Sequence, residues 1–169
     1  MKTLIAYDTR YGTTTTIAHW LCEGIAGDCD ISNVADVASL DYDLIVIGSP
    51  IYTDEPLPSV MQFLHDRQEV LSQKKVALFF VYDELLTLKS KTYIEELREQ
   101  APPDVLAVGI FGGYFDMSAL NEHDRQTMDD FFERLGKRYE VLDHRNKDDV
   151  VRFGKLLREK LSEARRSTI

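Results

Sequence analysis

The sequence predicts an α/β fold: a doubly wound, five-stranded parallel sheet, order 2-1-3-4-5, with helices on both faces. Three observations carry that expectation. Short apolar runs alternate with longer stretches of helical period, and such alternation implies right-handed crossovers. The runs Leu44-Ile45-Val46-Ile47-Gly48 and Val76-Ala77-Leu78-Phe79-Phe80-Val81 are continuously apolar, as strands buried on both faces are. No Gly/Ser-rich or Pro-rich linker and no internal repeat divides the 169 residues, so a single domain over residues 1–169 is expected.

In chain order, strands are expected at Thr3–Asp8, Ile31–Val34, Leu44–Ser49, Val76–Tyr82 and Val105–Phe111. Helices are expected at Thr14–Gly24, Pro58–Leu71, Thr87–Glu99, Asn121–Arg134 and Asp148–Ala164. Pro58 suits the first turn of its helix, where its missing N–H costs nothing. The closing residues Arg165 to Ile169 read as frayed.

Hydrophobic residues make up 44% and charged residues 29%, which is ordinary for a globular protein. No apolar run reaches membrane-spanning length. Met1-Lys2-Thr3 enters the first strand directly, so no signal peptide and a cytoplasmic location are expected. Cys22 and Cys29 are too few for a disulfide framework and lack metal-ligand spacing. Cys22 reads as core.

The net charge is −9. From Tyr11 to Asp66 there is no Lys or Arg, while nine acids fall there: Glu23, Asp28, Asp30, Asp36, Asp41, Asp43, Asp54, Glu55 and Asp66. Acids and bases balance over the rest of the chain. An acidic surface disfavours nucleic acid and anionic membranes. It can solubilise, or it can steer a redox protein partner that has a basic docking face; both readings stand.

The turn Thr9-Arg10-Tyr11-Gly12-Thr13-Thr14-Thr15-Thr16 joins the first strand to the first helix. The first N–H groups of a helix lack internal partners and carry partial positive charge, so such a turn suits a phosphate. Threonine hydroxyls add donors, and Gly12 permits a left-handed backbone or a close approach. Threonines before a helix also serve as ordinary N-caps, so cap and cradle both remain open. Arg10 is the loop's one cation. Neither G-x-x-x-x-G-K-[ST] nor G-x-G-x-x-G occurs, which argues against nucleotide hydrolysis and dinucleotide binding. In the predicted order, ligands bind at the switch point beyond the carboxyl ends of strands 1 and 3. The loops there are the threonine turn, Gly48-Ser49-Pro50-Ile51-Tyr52-Thr53, and Tyr82-Asp83-Glu84-Leu85-Leu86.

At these residues the chain resembles the flavodoxin family of FMN-binding proteins. The family's phosphate loop reads [ST]-x-T-G-x-T, and Thr9-Arg10-Tyr11-Gly12-Thr13-Thr14 matches at Thr9, Gly12 and Thr14. It departs at Tyr11, where the family usually has Thr. Gly48-Ser49-Pro50-Ile51-Tyr52 is similar to the family's flavin-facing loop. The resemblance implies FMN as cofactor. Thr9, Arg10, Tyr11, Gly12, Thr13 and Thr14 would hold its phosphate. Ser49, Pro50, Ile51, Tyr52 and Thr53 would meet its ring, with Tyr82 and Asp83 from the next loop. Tyr52 is the first candidate to stack on the ring. Tyr82 either stacks or packs in the core, and Tyr11 either reaches the ring edge or caps the loop.

A narrower similarity lies in the second half. Gly109 to Leu120 and Asp148 to Leu157 resemble the menaquinone-dependent, protoporphyrinogen-oxidising flavodoxins, in which a helical insertion precedes the last helix. Residues 114 to 147 have the length for it.

The resemblance implies electron transfer in which the cofactor does the chemistry and the protein tunes it. Asp54, Glu55, Asp83 and Glu84, if near the flavin, would repel an anionic reduced ring. His19, His65, His123 and His144 form no ligand pattern, and Glu122-His123-Asp124 reads as a solvated helix face. No nucleophile–base set and no metal site can be assembled. Three readings follow: an electron carrier between redox partners, an FMN-dependent oxidoreductase of the protoporphyrinogen type, and a flavin-free receiver-type module. The last wants an acidic pocket; Asp8 ends the first strand, but Ser49-Pro50 occupies the third.

Overall fold

The structure is a computed structural model that describes residues 1–52, 55–83 and 90–167. Thr53, Asp54, Glu84 and Thr87 therefore lie outside the described residues, as does the side chain of Tyr52.

The central sheet has parallel strands β1 (Lys2–Tyr7), β2 (Asp28–Asn33), β3 (Leu44–Tyr52), β5 (Val76–Tyr82) and β6 (Val108–Gly112) in the order β2-β1-β3-β5-β6. That is the predicted topology. One short strand is added, β4 (Glu55–Pro56), antiparallel to the end of β3.

Alternation along the strands divides the core. Leu4, Ala6, Ile45, Ile47, Leu78 and Phe80 face α2 (Pro58–Asp66), α3 (Gln68–Leu71) and α4 (Ser90–Gln100), where Val60, Leu64, Leu71 and Ile94 join them. Ile5, Val46, Ala77, Phe79 and Val81 face α1 (Thr13–Ile25) and α6 (Lys147–Arg166), meeting Ile17, Leu21, Val150 and Leu157. With both faces buried, the strands are apolar without a polar period, which is why their sequences are so legible.

Several boundaries differ from expectation. The predicted Pro58–Leu71 helix is two, interrupted at Arg67, where φ is −107° and ψ is 6°. The expected Gly48–Thr53 loop is largely strand, because β3 runs on to Tyr52 and folds back against β4. The tail is not frayed at Arg165: α6 reaches Arg166, and the Arg165 guanidinium lies 2.5 Å from Asp43 Oδ1.

Residues 114 to 143 form a separate layer. β7 (Tyr114–Asp116) and β8 (Val141–Asp143) pair antiparallel, and α5 (Glu122–Leu135) packs on them. Phe115, Met117, Leu120 and Phe132 make a third core cluster, with the Phe115 and Phe132 rings edge-on at 5.9 Å. Asn121 caps α5 by accepting from the Asp124 amide, and Gly136 closes it in the left-handed conformation.

Four of the acids without neighbouring bases in sequence find bases in space. Asp30 meets Lys2, Asp41 meets Lys74, Glu23 meets Lys147, and Asp43 meets both the amino terminus and Arg165. Asp28, Asp41 and Asp43 lie at the amino-terminal ends of the strands, opposite the carboxyl ends where the candidate loops gather. Asp36 follows β2 and Glu55 pairs with the end of β3, so the acidic stretch is divided between the two ends of the sheet. No helix among the described residues is long and apolar enough to cross a membrane.

Helices α1 and α6 approach closely through two glycines. A Cβ at Gly154 would lie 2.6 Å from the Leu21 carbonyl oxygen, and one at Gly24 would lie 2.3 Å from that of Val151. Backbone cannot move aside as a side chain can. Gly154→Val should cost about 1–3 kcal/mol through overpacking. A urea melt with an unchanged midpoint would contradict this contact.

Candidate functional site

The carboxyl ends of β1, β3 and β5 and the β7–α5 layer enclose a cleft with about 770 Å³ of free volume, counted out to open solvent. Arg10, Tyr11, Thr13, Pro50, Ile51, Tyr82 and Asp83 line it, so the structure gathers residues predicted from three separate loops. Its remaining wall, including Tyr114, Phe115, Leu120, Asp124, Thr127 and Met128, was not foreseen. The spacing of Asp124, Thr127 and Met128 puts them on one helical face and could have revealed it.

The capping alternative turns on Gly12. Gly12 itself is the N-cap of α1, with φ 87°, and no side chain caps this end. The threonines lie inside the helix, not before it. Thr9 Oγ1 accepts from the Gly12 amide at 3.0 Å, and Thr16 Oγ1 donates to the Gly12 carbonyl. Thr13 Oγ1 donates to the Tyr114 carbonyl. Thr14 is fully buried, and its hydroxyl has no hydrogen-bond partner among the described residues. An unsatisfied buried hydroxyl costs about 1–3 kcal/mol. A Cβ built on Gly12 would meet no atom within 4 Å, so the requirement for glycine is conformational, not steric.

Below this turn, Asp8 ties three elements together. Its carboxylate accepts from the Thr9 amide at 2.7 Å, Asn33 Nδ2 at 2.8 Å and Ser59 Oγ at 2.5 Å. Burial pushes the carboxyl up, but the bonds from Ser59, Thr9 and Asn33 outweigh it and hold the group below its ordinary value. With these donors satisfied, Asp8 reads as a fastener, not as a phosphoacceptor.

Ser49 is predicted at the cofactor but is buried. Its hydroxyl donates to the Pro50 carbonyl at 2.9 Å and accepts from the Leu57 amide at 3.0 Å, fixing the β3–β4 reversal. Pro50 and Ile51 line the cleft; Tyr52 is placed by its backbone alone, opposite Glu55. Glu55 is exposed and does not line the cleft. Tyr82 both lines the cleft and packs on the core.

Tyr11 neither caps the loop nor stands free. Its hydroxyl donates to Asp124 Oδ2, and its ring packs with the third cluster. Burial first, then the bond to Asp124, raises its pKa above the ordinary tyrosine value. The Arg10 guanidinium lies 2.9 Å from the same Asp124 oxygen. The residue that departs from the phosphate-loop pattern is thus the one that docks α5 on that loop. Asp124 is correspondingly not a solvated surface acid, whereas His123 beside it is exposed. His144, which showed no ligand pattern in sequence, lies with Nδ1 2.5 Å from Asp83 Oδ2.

A family model described as Flavodoxin domain matches residues 4–141. A nitric oxide reductase of Moorella thermoacetica is 35% identical over 89 residues, which are 47% of this chain and 22% of that protein. The chain thus spans about a fifth of the length of that relative. A short-chain flavodoxin associated with a non-canonical PDU bacterial microcompartment superposes with a TM-score of 0.62 at 16% identity, over 97% of this chain and 99% of that one. A flavoprotein of Lactobacillus acidophilus NCFM, solved in complex with FMN, gives a TM-score of 0.53 at 21% identity, over 64% and 92% of the two chains. At such identities the structural likeness is one of fold.

Asp8 should leave a signature in pH. A depressed folded value means its carboxylate stabilises the protein above the ordinary 3.8 and loses that contribution as pH falls through the lower folded value. Asp8→Asn should therefore cost about 1 kcal/mol at pH 7 and flatten the loss of stability below roughly pH 4. Denaturant melts at a series of pH values will check this; parallel profiles for both proteins would refute it. Tyr11→Phe should cost about 1 kcal/mol. It should also speed amide hydrogen exchange in α5, β7 and β8 while the sheet stays protected.

Proposed function

The chain belongs to the flavodoxin domain family, with FMN as the cofactor that membership carries, and on that premise we propose that it carries electrons between redox partners through FMN held in this cleft. The observation that carries the reading is the buried, unpartnered Thr14 hydroxyl beside an uncapped helix N-terminus. A phosphate there would supply the acceptor that both lack. The donors are neutral, because Arg10 is engaged by Asp124. FMN, when bound, supplies one- and two-electron transfer. Thr9 to Thr14 would hold the phosphate end. Pro50, Ile51 and Tyr82, which line the cleft, would meet the ring, and Tyr52 and Thr53 are assigned to the same side from sequence. Phe115, Leu120 and Met128 keep water from the opposite wall. The electron donor or acceptor would be a protein that docks at the cleft rim. The charge of its docking face is not dictated by Asp28, Asp41 and Asp43, which lie at the other end of the sheet.

The covering layer favours a second reading. A carrier needs only an exposed ring edge, whereas α5 and β7 add an apolar wall suited to an organic substrate, as in quinone-dependent protoporphyrinogen oxidation.

Titration of the apoprotein with FMN, followed by flavin fluorescence, tests the cofactor. Saturable binding is expected, and its absence at micromolar FMN would remove both readings. Thr14→Val tests the phosphate role with a nearly isosteric change. It should weaken FMN binding about 10- to 100-fold, the worth of a hydrogen bond to a charged group. Stability of the apoprotein should not fall, since no existing bond is broken. Loss of apoprotein stability with unchanged affinity would make Thr14 structural. Turnover of the loaded protein with protoporphyrinogen and a quinone would select the second reading over the first.

A further inference from the structure

Asp83 and His144 form an ionisable pair at the cleft that the phosphate turn and the apolar walls do not use. Asp83 follows β5 and lines the cleft, and its side chain is only 4% exposed. His144 follows β8, on the outer side of the wall, with 49% of its side chain open to solvent. Its Nδ1 lies 2.5 Å from Asp83 Oδ2. Its main chain is fixed, because the His144 amide donates to the Gly113 carbonyl at 3.0 Å. The pair thus runs from solvent through the wall to the cleft.

We propose that Asp83 and His144 are a redox-linked proton site: the pair takes a proton from solvent when the cleft's cofactor is reduced and returns it on reoxidation. The proposal rests on the FMN reading above. A carboxylate buried alone in a cleft wall is costly, and a hydrogen-bonded imidazole offsets that cost most when it is charged. Imidazole is also the side chain whose charge changes between about pH 5 and 8. Electrons entering the cleft add negative charge beside a poorly solvated wall, where Coulomb interactions are strong. That charge favours a cationic imidazole. The balance is simple: the reductant supplies two electrons to the cofactor, solvent supplies the cofactor's own proton and one more, and that additional proton forms one N–H bond on His144. Linkage makes the effect reciprocal, so a protonated pair raises the potential of the bound cofactor.

Among the described residues, the neighbouring charges include Asp143, whose carboxylate also feels His144. On the β8 side, Asp143 and Arg145 engage each other at 2.8 and 2.7 Å, and the Arg145 guanidinium lies over the Tyr114 ring. β5 contributes Tyr82, and the turn between β6 and β7 contributes only Gly113. Glu84 and Lys89, next after Asp83 in the chain, lie outside the described residues. Under this proposal Asp83 acts on the cofactor together with His144.

Spectroelectrochemical titration with dithionite as reductant, from pH 5.5 to 8.5, tests the assignment on the FMN-loaded protein. The wild-type midpoint potential should fall with an extra slope of one proton per two electrons, ending in a break within that range. Asp83→Asn and His144→Gln should both lose the extra slope and the break. The same profile in all three proteins would overturn the proposal. Should either variant fail to fold or to hold FMN, the His144 resonance of the wild type decides. The His144 Cε1 resonance at pH 6.5 should move toward its imidazolium position on reduction, and a resonance indifferent to reduction would overturn the proposal. No saturable FMN binding by the wild type would instead overturn the cofactor reading, and the proton site with it.

Discussion

The left-handed backbone at Gly12 is the constraint on which the site depends. It turns the chain from β1 into α1 without a capping side chain, and so leaves a helix terminus with donors and no acceptor. The threonines that look like caps cannot serve as caps once they are inside the helix. Asp8 and Thr9 hold the turn from beneath, by bonds to neighbouring loops and to the Gly12 amide. A folded protein tolerates an unsatisfied end of this kind where a ligand completes it.

The β7–α5–β8 layer depends on the same turn. It has its own small aromatic core, but it is fastened to the sheet domain at Asp124, where Tyr11 and Arg10 converge. One consequence is electrostatic. The only cation of the phosphate turn is neutralised by a carboxylate from the covering layer, so an anion held there must rely on amides and hydroxyls. Tyr11 in place of the usual threonine gives the turn a longer reach to α5.

Much of the fold was legible because parallel strands buried on both faces carry their own composition signal, as β3 and β5 do. Boundaries were less legible where tertiary contacts set them. β3 extends past Ser49 because β4 and the Ser49–Leu57 bond give its end a partner, and α6 reaches Arg166 because Arg165 finds Asp43. In the site, residues on loops from consecutive strands were readable from the switch-point rule. Asp124 and His144 were not. Each acts through a partner more than fifty positions away, and a lone histidine or an acid on a polar helix face has no local pattern to betray it. The acidic stretch was legible only in part: the bases that meet Glu23, Asp30, Asp41 and Asp43 are distant in sequence and adjacent in space.

Asp43 joins the two ends of the chain. One carboxylate lies 4.0 Å from the amino terminus and 2.5 Å from the guanidinium of Arg165. Met1 and Arg165 therefore lie together at the amino-terminal ends of the strands, opposite the cleft. A short linker could close the chain into a ring, and new ends opened in a surface loop would give a circular permutant with its cleft untouched. By the same geometry, the chain can be spliced as an insert into a host protein, entering and leaving at one point, with its cofactor cleft facing outward.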